Sequence, residues 1–250
     1  MNKNTSWKSK FYFILTLIFV YVLLFEFILP VNKILPRPSL LLDTFSSIWR
    51  DYNLLQSIGL TTSVVYVSII LAYPIIWMKS RFIIRASREL NISMETLRVF
   101  RFIPIFLIVV FLVSWFSNSV ISEFVFALIV ASFLLGTRLF TESKNVKSEY
   151  LLVGKNLGLS QNRIYSKIIW KAAEPEVLKS LVIIHFYLWG LVLIYEFIAN
   201  IAGLGGVLSF ALSYNDFASI FALTIIISIL ICIGNYIIEF IIDRLAPWEQ

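Results

Sequence analysis

Six apolar runs dominate this sequence, and each is close to the roughly 20 residues that a helix needs to cross a bilayer. They lie at about 11–29, 55–78, 102–117, 120–141, 179–199 and 217–241. The third run is short and nearly merges with the fourth. No small-residue cleavage site follows the first run, so we expect it to be retained as a helix. The sequence therefore predicts an all-α, polytopic membrane protein with about six transmembrane helices in one domain, residues 1–250.

Composition supports a membrane protein and excludes several kinds of site. Hydrophobic residues make up 59% of the chain and charged residues 14%, whereas a soluble domain averages about 25% charged residues. The single Cys excludes a disulfide framework, and the single His excludes a two-histidine zinc motif. The sequence has no glycine-rich phosphate-binding loop. We therefore expect no metal, no cofactor and no catalytic centre in this chain.

Lys and Arg are distributed unequally between the two sides that six spans would create. Three of the 21, at positions 33, 37 and 50, lie on one side, and the other eighteen lie on the opposite side. Such an excess marks cytoplasmic segments, so both termini and the loops at 79–101 and 142–179 are predicted to be cytoplasmic. The net charge of +6 then reflects this bias and contact with anionic lipid, and not nucleic-acid binding.

The outer segment 30–53 is predicted to contain a surface helix. Pro30, Pro36 and Pro38 favour an extended start to this segment. In the following "SLLLDTFSSIWRDY", apolar residues recur at helical spacing with polar residues between them. This pattern is typical of an amphipathic helix that lies at a membrane surface.

The cytoplasmic segment "GKNLGLSQNRIYSKIIWKAAEP", residues 154–175, is polar and basic between two apolar runs. Residues 148–157 can form a short helix, and Gly158 suits its end, where a left-handed residue is needed. Ser160 can cap the next helix, and Pro175 can occupy the first turn of the helix that leads into the fifth span. We expect a compact helix–turn–helix that binds a soluble partner; the alternative is an ordered loop without a partner.

This segment resembles the cytoplasmic signature of bacterial ABC import permeases, which reads Glu-Ala-Ala, three residues, Gly, nine residues, Ile-x-Leu-Pro. Gly158 and Ile168 take the Gly and Ile places at that spacing. Residues 152–154 stand where the family has Glu-Ala-Ala, and residues 170–171 stand where it has Leu-Pro. The resemblance implies that the coupling segment, about 147–175, binds a separate ATPase subunit. Its predicted coupling residues are Leu152, Val153, Gly154, Gly158, Ile168, Trp170, Lys171 and Pro175.

Other pieces resemble the permeases of the nitrate, sulfonate and taurine group, in the order in which they occur there. They are "LPRPSLLLDTFSSIWRDYNLLQSIGLTTSVVYVSIILAYP", "FRFIPIFLIVVFLVSWF", "YEFIANIAGLGGVLSFAL" and "IIDRLAPWEQ". The resemblance implies the transmembrane subunit of a binding-protein-dependent (type I) importer that moves a small anion by alternating access. It further implies a homodimer in the bacterial inner membrane, an ATPase that binds ATP and Mg, and a periplasmic or lipid-anchored substrate-binding protein. The alternative is a non-transporting membrane anchor or assembly subunit with the same fold.

Five residues are candidates for the translocation pathway. Glu196 lies toward the outer end of the fifth run, where a carboxylate is costly in lipid and usually faces a cavity or a partner. His185 lies eleven residues earlier on the same helical face, about 16 Å away, with Trp189 between them. Gly203 and Gly205 in "IAGLGG" allow a re-entrant turn beside the pathway. The alternatives are an interfacial Glu, a structural His and a tight hairpin outside the membrane.

Overall fold

The computed structural model describes residues 3–29, 35–89, 105–116 and 119–245 of the 250-residue chain, and these residues form nine helices and no strand. The first helix, α1, is Lys3–Val22 and continues as a π-helical segment, Leu23–Ile28. The others are α2 (Pro38–Asp51), α3 (Leu54–Arg88), α4 (Ile105–Trp115), α5 (Val120–Asn145), α6 (Ser148–Asn156), α7 (Gln161–Ala199), α8 (Leu204–Ser213) and α9 (Phe217–Leu245). Within α7, the residues Ile164–Ile169 are π-helical. The all-α prediction is confirmed for the described residues.

Four of the described helices, α3, α5, α7 and α9, are long and apolar enough to cross a membrane. They coincide with four of the six predicted spans. The first predicted span overlaps the shorter apolar stretch Leu15–Ile28. The third overlaps α4, which has 11 residues; Phe116 follows that helix, and residues 102–104 and 117 lie outside the described ranges. A count of six spans is therefore not established by helix length.

The core lies where α3, α5 and α7 pack against one another. Small residues are buried along these contacts, including Ser68 and Ala72 in α3 and Ala127 and Ala131 in α5. Lipid tails are as apolar as Leu, so membrane helices associate largely through close packing, which small residues permit. The result is a tight three-helix centre against which α8 and α9 also pack.

The predicted cytoplasmic loop at 79–101 is wrong in its first part. Residues 79–88 continue α3, because Ser80, Ile84 and Ser87 form a buried face at helical spacing. The hydroxyl of Ser87 donates a hydrogen bond of 2.8 Å to the carbonyl of Phe140 in α5. The charged residues between them point outward, which made this stretch look like a loop in the sequence. Glu89 directly follows the helix, and residues 90–101 lie outside the described ranges.

The predicted helix start at Pro175 is also wrong. Pro175 is buried inside α7, fourteen residues after the helix begins at Gln161. Proline removes one backbone hydrogen bond from a helix interior, here the bond to the carbonyl of Lys171. The packing of both sides of α7 against its neighbours outweighs this loss, so the helix runs without interruption from the coupling segment into the span.

Helix α2 confirms that the predicted amphipathic segment is a helix. It begins at Pro38, and its buried face includes Thr44 and Ile48. Leu42 and Trp49 on the other side are 72% and 45% exposed. The helix packs against α9 and α3, so it is part of the folded domain.

Candidate functional site

The carboxylate of Glu196 is fully buried, 0% exposed, near the end of α7. Its Oε1 accepts a hydrogen bond of 2.6 Å from the Thr61 hydroxyl of α3, and its Oε2 accepts one of 2.6 Å from the Gly205 N–H. Thr61 Oγ1 also accepts a bond of 2.9 Å from the Leu204 N–H. Two free amides of the first turn of α8 are thereby satisfied by side chains of two other helices.

Glycine is required where the chain turns from α7 into α8. Gly203 has φ +142°, and a Cβ there would overlap the Glu196 carboxylate. A Cβ on Gly205 would overlap the backbone carbonyl of Leu193. The turn therefore folds back onto α7 and is buried with Glu196. The structure places both glycines beside Glu196, and the re-entrant turn beside a translocation pathway stays a prediction.

Sequence analysis missed a second buried carboxyl group, Glu123 in α5, which is 1% exposed. Glu123 and Glu196 are close enough to interact electrostatically. Two buried carboxyl groups repel each other when both are charged. The signal was available in "VISEFVFALIV", where one acidic residue interrupts an apolar run.

His185 forms a separate buried cluster with Tyr66 and Trp189. Its Nε2 accepts a hydrogen bond of 2.9 Å from Trp189 Nε1–H and lies 3.1 Å from the Tyr66 hydroxyl. Because an indole nitrogen only donates, Nε2 carries no proton. A Cβ on Gly234 of α9 would lie 2.8 Å from His185 Nε2 and overlap the Tyr66 hydroxyl. Gly234 therefore lets α9 approach α3 and α7, and a pathway role for His185 and Trp189 stays a prediction.

The coupling segment forms the expected short helix, turn and second helix. Gly158 has φ +69°, the left-handed value predicted for it. Gly154 is buried, and a Cβ there would lie 2.8 Å from Ile168 Cδ1 and 2.9 Å from Ile164 Cγ1. The Ser160 side chain makes no capping bond to α7, although its carbonyl accepts from the backbone of the first turn. Gly154 is therefore the residue that allows α6 to lie directly on α7.

The predicted coupling residues occupy different environments. Leu152 and Val153 are 59% and 54% exposed on α6. Lys171 forms an ion pair of 2.6 Å with Glu174. Trp170 is 1% exposed and packs against Tyr73, with ring centroids 6.1 Å apart, so it faces the protein interior. Of the predicted coupling residues, Leu152, Val153, Gly158 and Lys171 are exposed, and Leu152 and Val153 are the exposed apolar ones.

The C-terminal end of α3 is bonded to the coupling segment, which sequence analysis did not predict. The Tyr165 hydroxyl donates 2.9 Å to Glu89, which also pairs with Arg85 at 2.7 Å. The hydrogen bond from Arg85, followed by that from Tyr165, lowers the pKa of the Glu89 carboxyl. Arg88 donates 2.8 Å to the carbonyl of Ser143. A displacement of the coupling segment would therefore act on α3 as well as on α7.

A polar cluster near the N-terminal ends of α3 and α9 joins Tyr52, Asp216 and Ser219. Asp216 accepts bonds of 2.7 Å from the Tyr52 hydroxyl and 2.6 Å from the Ser219 hydroxyl, and it caps α9. Partial burial opposes ionisation of Asp216, but these bonds outweigh it and lower the pKa of the carboxyl. Burial, with the bond to Asp216, raises the pKa of Tyr52 to about 12.

Within the described ranges no three His, Cys, Asp or Glu side chains could hold a metal ion.

Comparisons with known proteins agree with this architecture. A family model described as "binding-protein-dependent transport system inner membrane component" matches residues 90–249. No curated protein matches the chain. A solved structure of the MetNI methionine ABC transporter in inward-facing conformations superposes with a TM-score of 0.58. The two chains are 15% identical, and the match covers 79% of this chain and 96% of the other. At this identity the likeness shows a shared fold.

Proposed function

Because the chain belongs to the family of binding-protein-dependent transport system inner membrane components, we propose that it moves a small solute across the bacterial inner membrane. It acts as the transmembrane subunit of an ATP-driven importer by alternating access. A separate ATPase subunit binds ATP and Mg, and both termini lie in the cytoplasm with it. The observation that carries the proposal is the construction of the coupling segment, since the family match includes that segment.

The exposed side of α6 is the proposed docking surface for the ATPase. Leu152 and Val153 of α6 and Leu157, which directly follows α6, are 59%, 54% and 70% exposed. Apolar side chains exposed on a protein surface commonly mark a binding site for another protein. The opposite side of α6 packs through Gly154 against α7, so force applied to the exposed side reaches α7 directly.

Helix α7 supports a route by which ATP binding changes the pathway. It is continuous from Gln161 to Ala199, and it carries Ile168 under α6 and Glu196 beside the α8 turn. At 1.5 Å per residue these two positions are about 40 Å apart along one helix. Closure of the ATPase subunits on α6 would displace α7 and thereby the packing around Glu196. Two states that bind ATP differently are what ATP-driven alternating access requires.

The rest of the proposed assembly follows from the family. A second copy of this chain completes a homodimer with the pathway between the copies, and a periplasmic or lipid-anchored binding protein delivers the solute. The sequence resemblance favours a small solute of the nitrate, sulfonate or taurine kind. The non-transporting anchor is the second candidate, favoured by the absence of the acidic residue at position 152.

The test is co-purification of tagged chain from detergent-solubilised native membranes, followed by measurement of ATPase activity. We expect an ATPase subunit to co-purify in equal amount with the unmodified chain. Gly154→Ala should weaken that association or lower the activity several-fold. The added Cβ causes overpacking that costs about 1–3 kcal/mol, partly offset by roughly 1 kcal/mol of improved helix propensity.

The matched control is Gly190→Ala in α7, where an added Cβ meets no atom within 4 Å. It should behave like the unmodified chain. If no ATPase co-purifies with a folded chain, the anchor function is correct and the transport proposal is wrong. If an ATPase co-purifies and both variants behave alike, α6 is not the coupling element.

A further inference from the structure

A groove of about 650 Å³ lies between α7 and α9, apart from both buried clusters. Its polar lining comes chiefly from α9, where Ser228, Asn235 and Glu239 contribute. These residues are seven and four positions apart, so they lie on one face of the helix. The face extends about 16 Å along the helix axis. A polar stripe of this length is unusual on a helix whose mean hydropathy is 2.7 over its most apolar segment.

Glu239 is the only charged side chain among the described residues that line the groove. It is exposed, and its Oε1 accepts a hydrogen bond of 2.8 Å from Asn235. A carboxylate on a membrane-spanning helix is costly against lipid and usually faces water or a partner of opposite charge. The groove therefore has a negative electrostatic potential, set by one carboxylate that a neighbouring amide orients.

Aromatic side chains form the other notable part of the lining. Phe186 and Tyr187 of α7 and Tyr236 of α9 are 64%, 57% and 68% exposed. The rings of Phe186 and Tyr187 are 6.4 Å apart and inclined at 70°. Aromatic faces attract cations such as ammonium groups, and they add to the attraction of a carboxylate. Neither feature favours a solute whose charge is only negative.

We propose that this groove is the solute-binding part of the translocation pathway and that it selects solutes carrying an ammonium group. This inference rests on the proposed import function, since the groove faces the pathway only if the chain assembles as a transporter. Among small solutes of the kind considered above, the groove favours an amino-bearing zwitterion over a simple anion such as nitrate. Glu239 binds the ammonium group, and Phe186, Tyr187 and Tyr236 surround it.

The single Cys of the chain provides a direct probe of this groove. Cys232 is exposed and belongs to the groove lining. It lies seven residues before Glu239, about 10 Å along the helix. The charge on Glu239 should therefore alter the rate at which charged reagents reach the thiol.

The experiment compares the labelling rates of Cys232 by a cationic and an anionic methanethiosulfonate reagent, trimethylammonium-ethyl and sulfonato-ethyl. The full chain with its co-purified ATPase is reconstituted in liposomes, and each rate is divided by that of free N-acetylcysteine. At low ionic strength we expect a normalised cation-to-anion ratio of roughly fourfold, from Coulomb's law in water at about 10 Å. Glu239→Gln should bring the ratio close to one.

The matched control is Asp243→Asn, which removes an acidic residue of the same helix that does not line the groove. It should lower the ratio less than Glu239→Gln does, because Asp243 lies about 16 Å from Cys232 along the helix axis. A ratio near one in the unmodified chain, or one that Glu239→Gln does not change, contradicts the proposal. Failure of both reagents to react also contradicts it, because lipid or another protein then fills the groove.

A second measurement separates this inference from the import function. ATP with vanadate should change the labelling rates of Cys232 by both reagents together if the groove belongs to an ATP-driven pathway. Rates unaffected by ATP would contradict the import function, whereas the cation preference tests the selectivity by itself. Failure of the import function therefore appears as labelling rates that ATP does not change, and failure of the selectivity appears as a cation-to-anion ratio near one.

Discussion

Replacement of Thr61 by Val tests the buried site that joins α3, α7 and α8. Val has nearly the same shape as Thr but lacks the hydroxyl that donates to Glu196 and accepts from the Leu204 N–H. All groups involved are buried, with Thr61 and Glu196 both 0% exposed. A buried N–H left without a partner costs about 1–3 kcal/mol, and a lost bond to a charged or polar carboxyl costs about as much. We therefore expect Thr61→Val to lower the free energy of unfolding by about 2–5 kcal/mol.

The assay is thermal unfolding of the purified chain in detergent, followed by the loss of monodisperse protein on size-exclusion chromatography. Thr62→Val is the matched control, because the Thr62 hydroxyl bonds only within its own helix, to the carbonyls of Ile58 and Gly59. Thr62→Val should shift the unfolding midpoint little, since a substitution that removes no tertiary contact usually changes the free energy of unfolding by less than about 0.5 kcal/mol. Thr61→Ser should restore most of the stability, because it retains the hydroxyl. Equal midpoints for Thr61→Val and Thr62→Val would falsify the assigned role of Thr61.

Two further substitutions test the remaining clusters. Gly234→Ala should lower the thermal midpoint clearly, because its Cβ has no room beside Tyr66 and His185; an unchanged midpoint would mean that α9 lies further from α3. Tyr52→Phe should cost less than about 1 kcal/mol at neutral pH, because it removes one hydrogen bond to a partly exposed carboxyl. The lowered pKa of the Asp216 carboxyl stabilises the fold at pH values above the ordinary pKa of 3.8, and this stabilisation is lost as the pH falls from 3.8 through the lowered pKa. The difference between Tyr52→Phe and the unmodified chain should therefore vanish in acid, which unfolding midpoints measured against pH would show.

Helix identity was predictable where one physical signal acted alone. The apolar runs at 55–78, 120–141, 179–199 and 217–241 lie in long helices. They were predictable because an uninterrupted apolar run of about 20 residues is typical of a membrane-spanning helix. Gly158 was predictable because a left-handed residue commonly ends a helix. Helix ends were predicted wrongly where charge or proline suggested a loop, at 79–88 and at Pro175. In both places tertiary packing kept the chain helical.

The candidate site was only half predictable. Glu196 and Gly203 were identifiable, because a carboxylate in an apolar run and a glycine-rich turn are unusual in sequence. The partner Thr61 lies 135 residues away from Glu196, and Tyr66 lies 119 residues away from His185. Residues that far apart in the sequence show no helical or strand periodicity that would predict their contact. Glu123 was visible as an acidic residue in an apolar run, but its pairing with Glu196 was not.

The sequence by itself determined that this chain is a helical membrane protein in which a polar helix–turn–helix separates two apolar runs. Those properties depend on the local order of apolar, charged and glycine residues. Only the tertiary structure decided which polar groups meet: Glu196 with Thr61, His185 with Tyr66, and α6 with α7 at Gly154. The physical reason is that helix packing brings together groups far apart in the chain, and buried polar groups must then satisfy one another because water and lipid cannot.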